Sequence, residues 1–145
     1  MAQGNQYLRI GIGASTFLLP SAASLAIEQR ETLVLENGAG AVSAWRDVKG
    51  DRWPAYCLDE QLEPARRQDW HRAVFVAGVP TPLGLLADEV QLLTQVELHV
   101  EPFTPVGPPP TPAGHVFAEA AVEGTQATLV FSPTGLAAYL QRLGA

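Results

Sequence analysis

The stretch that most constrains the fold is a pair of apolar runs near the middle of the chain. The first run covers Ala73 to Ala77 and the second covers Leu83 to Ala87, with a turn rich in glycine and proline, Gly78 to Pro82, between them. Apolar runs of this length between turn signals are typical of β-strands, so the stretch predicts a β-hairpin. Neither run alternates with polar residues, which predicts strands that are buried on both faces.

Length and composition place this hairpin in a small globular protein. The chain has 145 residues, of which 47% are apolar, so we expect one domain, or two very small subdomains that share a core. No apolar run approaches the roughly 18 residues that a membrane span needs, and the N-terminus lacks a secretory signal pattern. These features predict a cytoplasmic protein without direct membrane insertion.

The charge of the chain is acidic and unevenly distributed. The net charge is −6, and residues 73–145 contain a single basic side chain, Arg142. Because binding to a phosphate backbone needs clustered lysine and arginine, we expect no nucleic-acid partner. The asymmetry suits an acidic face for a basic protein partner, although a solvated surface that keeps the protein soluble explains it equally well.

Further short strand patterns, bounded by glycine, proline and small residues, recur along the chain. The predicted strands cover residues 7–12, 16–19, 25–27, 32–35, 41–46, 52–58, 94–101, 115–122 and 125–131. Pro54 lies inside one of them and predicts an edge strand or a bulge. Asp59 to Trp70 predicts a short helix with Asp59 as its cap, and Ser132-Pro133 predicts the start of a C-terminal helix. The class is therefore mainly β, with spacing that suits a barrel or a pair of small barrels.

Pro102 to Pro112 is a proline-rich run. It predicts an extended surface connector, because proline lacks the backbone donor that helices and paired strands require. Peptide-binding domains recognise such runs, but a crossover inside the domain is the favoured interpretation.

The search for catalytic chemistry finds no defined set of residues. The three histidines, His71, His99 and His115, are scattered, and no serine lies in a nucleophile elbow. The glycines at positions 11 and 13 favour a turn between strands over a phosphate loop, because no helix pattern follows them. Cys57 is the one cysteine and is interpreted as a buried strand residue. We therefore expect a protein that is not an enzyme and has no cofactor.

One alternative function involves a metal. Glu97, His99 and Glu101 alternate along a predicted strand, so their side chains share a face. Two carboxylates and an imidazole in this arrangement could bind a metal ion, and a small β-barrel that binds a metal or another small ligand is the second hypothesis. Solvent-facing residues of an amphipathic strand are the more common explanation of the pattern.

Several of these segments resemble the CheW-like adaptor domain of bacterial chemosensory systems, over nearly the full chain. The most specific is Gly84 to Val90 (GLLADEV), which is similar to the Gly-Leu-Leu-Val-Asp-Glu-Val stretch of that family. Phe17 to Pro20 resembles its first apolar strand, and Arg52 to Leu58 resembles its Leu-Pro-Val-Val-Asp-Leu strand. Phe131-Ser132, before the predicted helix, stands where the family has Leu-Asp.

The resemblance implies two intertwined five-stranded SH3-like barrels and a short C-terminal helix. It implies a single CheW-like domain over residues 1–145, with two subdomains at roughly 1–70 and 71–145 and strand exchange between them. The implied function is a non-enzymatic cytoplasmic scaffold that links chemoreceptors to a CheA-type histidine kinase. One barrel would contact the kinase, and the helical tip of the receptor would dock in the groove between the barrels.

One residue is carried over as a candidate partner contact. Ala44 to Asp47 (AWRD) stands where the family usually has Asn-Leu-Arg-Gly, so Arg46 matches the family's arginine. A structural salt bridge from Arg46 to Glu28 or Glu31 is the other interpretation. Because the glycine of this segment is replaced, a divergent adaptor resembling PilI of twitching-motility (type IV pilus) systems fits better than a principal chemotaxis adaptor.

Overall fold

The computed structural model describes residues 6–36, 38, 40–93, 99–102, 117–123 and 126–144; the side chains of residues 99–102, 118–123 and 126–127 are not described. This part of the chain contains twelve β-strands, one α-helix and two short 3₁₀ helices, Ser21–Ala23 and Arg30–Thr32. The elements are β1 (Tyr7–Ile12), β2 (Ser15–Pro20), β3 (Ser24–Gln29), β4 (Val34–Leu35), β5 (Val42–Val48), β6 (Asp51–Tyr56), β7 (Arg72–Val76), β8 (Leu83–Ala87), β9 (Glu89–Leu93), β10 (His99–Pro102), β11 (Phe117–Glu123), β12 (Gln126–Phe131) and α1 (Pro133–Leu143). The mainly β class is confirmed.

The strands form two sheets. The first sheet has the order β10-β11-β12-β2-β1-β9, and the second has the order β3-β7-β8-β6-β5-β4. Each sheet therefore has six strands in the described part of the chain, where the resemblance implies five. Both sheets curl into half-barrels. A salt bridge between β3 and β5, which are not neighbours in the second sheet, shows this curl directly.

The chain passes between the two sheets twice, so the sheets are intertwined. It starts in the first sheet with β1 and β2, builds the second sheet from β3 to β8, and returns to the first sheet at β9. Parallel pairing of Val130 in β12 with Leu18 in β2 joins the N-terminal and C-terminal strands of the first sheet. The subdomain boundary near residue 70 stays a prediction.

The predicted central hairpin is confirmed as β7 and β8, which pair antiparallel from Arg72 with Ala87 to Val76 with Leu83. Side chains on its two faces pack into two different clusters of buried residues. Val74 and Leu85 lie in the large core that also contains side chains of β1, β2 and α1. Phe75 and Leu86 point into a smaller core within the second sheet. The hairpin is therefore a wall shared by both halves of the molecule, which explains why neither strand alternates with polar residues.

The predicted C-terminal helix is confirmed as α1. The hydroxyl oxygen of Ser132 accepts a hydrogen bond from the Gly135 N–H at 3.2 Å and so caps the helix. Leu136 and Leu140 are buried in the large core, and Leu143 packs against it half-buried. This apolar stripe fixes the helix on the sheets.

The helix predicted over Asp59 to Trp70 is wrong. This segment is an irregular loop, in which the Asp59 carboxylate accepts hydrogen bonds from the N–H groups of Gln61 and Glu63 at 2.9 and 3.0 Å. Leu62 has a φ of 64°, which no right-handed helix allows, and its side chain is buried in the large core. Asp59 therefore stabilises a turn, and burial of Leu62 overrides the weak helical pattern.

Pro54 lies in an interior strand rather than at the edge of its sheet. β6 pairs with β5 along its length, but its parallel pairing with β8 involves only Ala55 and Tyr56. Pro54 thus stands just before the stretch of β6 that has partners on both sides. The register shift of this hairpin lies in β5, between Val42 and Ala44, and not at the proline.

The predicted strand over residues 94–101 is only partly described. Its last three residues belong to β10, and residues 94–98 lie outside the described part of the chain. Pro102 ends β10 and pairs with Glu119, so the expected connector starts one residue later; the rest of that connector is also outside the described residues. β9 was not predicted as a separate strand.

Candidate partner-binding surface

The β5–β6 hairpin carries the residues most suited to contact a partner. Its turn is only two residues long, Lys49 and Gly50, and both have positive φ angles of 54° and 88°. Such a turn matches the twist of an antiparallel pair and sets a strict register. Trp45 consequently pairs with Pro54 and Arg46 pairs with Trp53. Because neighbouring residues of a strand point to opposite faces, the hairpin presents one arginine–tryptophan pair on each face.

The inner face holds Arg46 at the point where the second sheet closes on itself. The Arg46 Nε lies 2.6 Å from the Glu28 carboxylate of β3, and its guanidinium lies 4.4 Å from the centroid of the Trp53 ring. Trp53 in turn packs on Phe75 of the small core. Both charged side chains are only 23% exposed. The predicted salt bridge is thus confirmed, with Glu28 rather than Glu31, while the partner-contact role of Arg46 stays a prediction.

The outer face holds the second pair, Trp45 and Arg52. The Arg52 guanidinium lies 4.5 Å from the Trp45 ring centroid, and its Nε is 3.7 Å from the Asp47 carboxylate. The Trp45 indole N–H donates to Glu36 at 2.8 Å. This hydrogen bond, with a second one from the Gly38 N–H, holds the pKa of Glu36 below its ordinary value.

A groove runs along this outer face, which we call the outer groove. Its volume is about 400 Å³, and its walls are the β5–β6 hairpin, the turn between β7 and β8, and the end of α1. The lining is largely apolar and includes Trp45, Pro54, Tyr56, Val79 and Pro80. Val79 is 71% exposed, which is the largest exposure of any big apolar side chain in the described residues. The groove is open and suited to a peptide-sized partner.

Sequence reasoning did not find the outer groove. The one signal for it is the symmetry of Trp45-Arg46 and Arg52-Trp53 about the hairpin turn, which places each arginine within reach of a tryptophan on the other strand. The turn between β7 and β8 and the end of α1 meet this hairpin only in the folded protein, so no local pattern could have revealed the other walls.

Asp88, which follows β8, connects the two sheets. The Asp88 carboxylate accepts a hydrogen bond from the Gly13 N–H at 2.6 Å and lies 2.7 Å from the Arg67 guanidinium. Arg67 also binds Asp69, and this hydrogen bond lowers the pKa of the Asp69 carboxyl. Asp88 therefore ties the β1–β2 turn of the first sheet to the loop before β7. The family-like GLLADEV segment has a structural role here.

The remaining sequence candidates are placed as follows. Cys57 is buried in the small core, as predicted, and burial raises the pKa of its thiol. Glu97, one of the three possible metal ligands, lies outside the described residues, and the side chains of His99 and Glu101 are not described. Among the described residues, no group of three or more histidine, cysteine, aspartate or glutamate side chains could hold a metal ion.

No α-helix in the described residues is long and apolar enough to cross a membrane. No protein-family model matches the chain, and no curated protein matches it in sequence. Among solved structures, the chain is similar to the crystal structure of the scaffolding protein TtCheW from Thermoanaerobacter tengcongensis. The TM-score is 0.65 at 14% sequence identity, and the match covers 90% of each chain.

This likeness extends over nearly the whole molecule, so it concerns the arrangement of both sheets and not a single motif. The protein has a CheW-like fold, as the resemblance of its sequence segments implies. Because a fold alone can support many functions, this likeness shows the fold and does not by itself assign a role to the protein.

Proposed function

We propose that the protein is a non-enzymatic signalling adaptor that works in the cytoplasm and links chemoreceptors to a CheA-type histidine kinase. The observation that carries this proposal is the likeness to a scaffolding protein over 90% of both chains. The described surface supports it, because its exposed features include large apolar side chains and the stacked pair of Arg52 and Trp45, which suit protein–protein contacts.

Within this proposal, Arg46 contacts the kinase at the closing point of the second sheet. Its guanidinium is held in place by Glu28 and Trp53, and its side chain is 23% exposed. A partner carboxylate would meet an arginine that is already ordered, so little side-chain entropy is lost on binding. The helical tip of a receptor is the second proposed partner.

We place the adaptor in a type IV pilus (twitching-motility) system rather than in a principal chemotaxis system. The support is Asp47, which follows Arg46 where the family usually has glycine. A carboxylate at this position lies 3.7 Å from the Arg52 Nε on the outer face of the hairpin, where a glycine would place no side chain. A kinase that matches this surface would differ from one adapted to a glycine there.

Binding to the CheW-like regulatory domain of a CheA-type kinase from the same cell tests the proposal. Biolayer interferometry with the full-length adaptor should show saturable binding to the kinase of the pilus system and weaker binding to a chemotaxis kinase. Arg46→Ala should weaken this binding, whereas Arg9→Ala, which changes an exposed arginine on the first sheet, should not. Absence of binding to every CheA-type kinase of that cell would refute the adaptor role.

A structural effect of Arg46→Ala must be separated from a contact effect. Glu28→Gln weakens the ion pair between Arg46 and Glu28 that closes the second sheet, but it keeps the Arg46 side chain. If both variants lose kinase affinity equally and in proportion to lost stability, Arg46 acts only through the fold. A loss confined to Arg46→Ala supports direct contact.

A further inference from the structure

The outer groove is separate from the proposed kinase contact. Arg46 and Trp53 point to the inner face of the β5–β6 hairpin, and Trp45 and Arg52 point to the outer face. The kinase contact proposed above at Arg46 does not use this second surface. Its chemistry can be read from the residues that line it.

Flat hydrophobic rings dominate the lining. Trp45 and Pro54 are cross-strand neighbours, and Val34 pairs with Trp45 on its other side, so three apolar side chains form a row across β4, β5 and β6. Pro80 faces this row from the turn between β7 and β8, and the row continues beyond the groove to Val34, which is 48% exposed. Aromatic grooves of this kind accept proline rings, which stack on them with little loss of conformational entropy.

The polar part of the lining favours an extended ligand over a helical one. Arg52 and Gln141 both line the groove and carry side-chain N–H donors. An extended proline-rich segment has no internal hydrogen bonds, so its backbone carbonyls are free to accept from such donors. The carbonyls of a helix are already engaged within the helix.

Charge complementarity fixes one end of the ligand. Among the described residues that line the groove, Arg52 alone is charged. Its side chain is 48% exposed, and its distance of 3.7 Å to Asp47 leaves room for a second carboxylate. The stacking on Trp45 holds the guanidinium at the rim, where it can pair with an acid of the ligand.

We propose that the outer groove binds an extended, proline-rich segment of a partner protein, with a carboxylate next to Arg52 and proline rings against Trp45 and Pro54. This site is independent of the kinase contact, so either can fail without the other. The partner is defined by this chemistry: it contains a short segment in which an acidic residue is followed by prolines and aliphatic residues.

Three synthetic octapeptides test the proposal against the full-length protein by isothermal titration calorimetry. The probes are acetylated and amidated EPPLPPLP, the charge-reversed KPPLPPLP, and EAALAALA, which keeps the acid and the leucines but has alanine in place of every proline. We expect EPPLPPLP to bind, KPPLPPLP to bind about tenfold more weakly, as the loss of one ion pair at the groove predicts, and EAALAALA not to bind. Equal binding of all three peptides, or tighter binding of EAALAALA, would overturn the proposal.

A charge swap removes misfolding as an explanation. Arg52→Glu should lose affinity for EPPLPPLP and gain affinity for KPPLPPLP, which an unfolded protein cannot do. The matched control Arg9→Glu reverses an exposed charge on the first sheet and should leave both affinities unchanged. Trp45→Ala should abolish binding of both peptides. If the purified protein instead forms dimers that Trp45→Ala dissociates, a second copy occupies the groove and the proposal is wrong.

Discussion

The two faces of the β5–β6 hairpin carry the same chemical pair, an arginine over a tryptophan, in two different settings. On the inner face, Arg46 is 2.6 Å from Glu28 and its tryptophan packs into the small core. On the outer face, Arg52 is 3.7 Å from Asp47 and 48% exposed. The stacking distances are nearly equal, at 4.4 and 4.5 Å. The difference lies in what surrounds each pair: the inner pair closes a half-barrel, and the outer pair borders an open groove.

This contrast predicts that the same substitution has unequal effects on the two faces. The largest difference is expected for the tryptophans. Trp53→Ala removes a ring that packs on Phe75 and should lower the free energy of unfolding by about 3 kcal/mol, because a cavity opens beside the small core. Trp45→Ala removes a ring from the groove wall and should lower it by about 1 kcal/mol. Urea denaturation followed by circular dichroism measures the unfolding free energy of both variants. Equal losses would contradict the different roles assigned to the two tryptophans.

The arginines should differ by a smaller amount. Arg46→Ala leaves Glu28 half-buried without its charged partner, and we expect a loss of about 2 kcal/mol in unfolding free energy. A double-mutant cycle with Glu28→Ala should show a coupling of about 1 kcal/mol between the two side chains. Zero coupling would mean that the salt bridge does not help to close the second sheet.

Arg52→Ala should barely change stability. The side chain is about half exposed and its ion pair is long, so we expect a change within about 0.5 kcal/mol. The same variant should lose most of its affinity for an acidic proline-rich peptide. Thermal unfolding measures the change in stability, and calorimetry on the same sample measures the change in peptide affinity. A large loss of stability would mean that Arg52 stabilises the fold, as Arg46 does.

The smallest effect concerns the titration of Glu36. Trp45→Phe removes the indole donor, so the pKa of Glu36 should rise toward its ordinary value. A carboxylate with a lowered pKa stabilises the fold above its ordinary pKa, and this contribution disappears as the pH falls through the folded value. The variant should therefore lose less stability than the wild type on acidification through that window. A side-chain NMR titration measures the pKa of Glu36 in both proteins. If Trp45→Phe has the same Glu36 pKa as the wild type, the hydrogen bond from Trp45 is not the cause of the lowered pKa.

Local patterns predicted the elements that depend on local sequence. The runs on either side of Gly78 to Pro82 became β7 and β8, and Ser132-Pro133 began α1 where the capping pattern placed it. The prediction failed at Asp59 to Trp70, where Leu62 is drawn into the core and the chain cannot be helical. Strand β9 was missed because it begins immediately after Asp88, where the chain changes sheets without a glycine or proline to mark the boundary.

The candidate surface was predicted only in part. Arg46 was singled out by the family resemblance, and a salt bridge to Glu28 or Glu31 was the other interpretation of this residue; the structure shows the salt bridge with Glu28. Its stacking on Trp53 and the whole outer groove were not foreseen. The groove depends on residues far apart in the chain, such as Val79 and Gln141, which come together only after both sheets and the helix have packed.

The sequence by itself determined the β7–β8 hairpin and the capped start of α1, because these depend on backbone preferences within a few residues. It also determined that β7 and β8 would be buried on both faces, since a strand without polar residues has no polar face to expose to solvent. Only the tertiary structure decided that one arginine–tryptophan pair would be mostly buried and the other would border an open groove. The reason is that Arg46 meets Glu28, 18 residues away, across a closing sheet, whereas Arg52 faces solvent beside a groove.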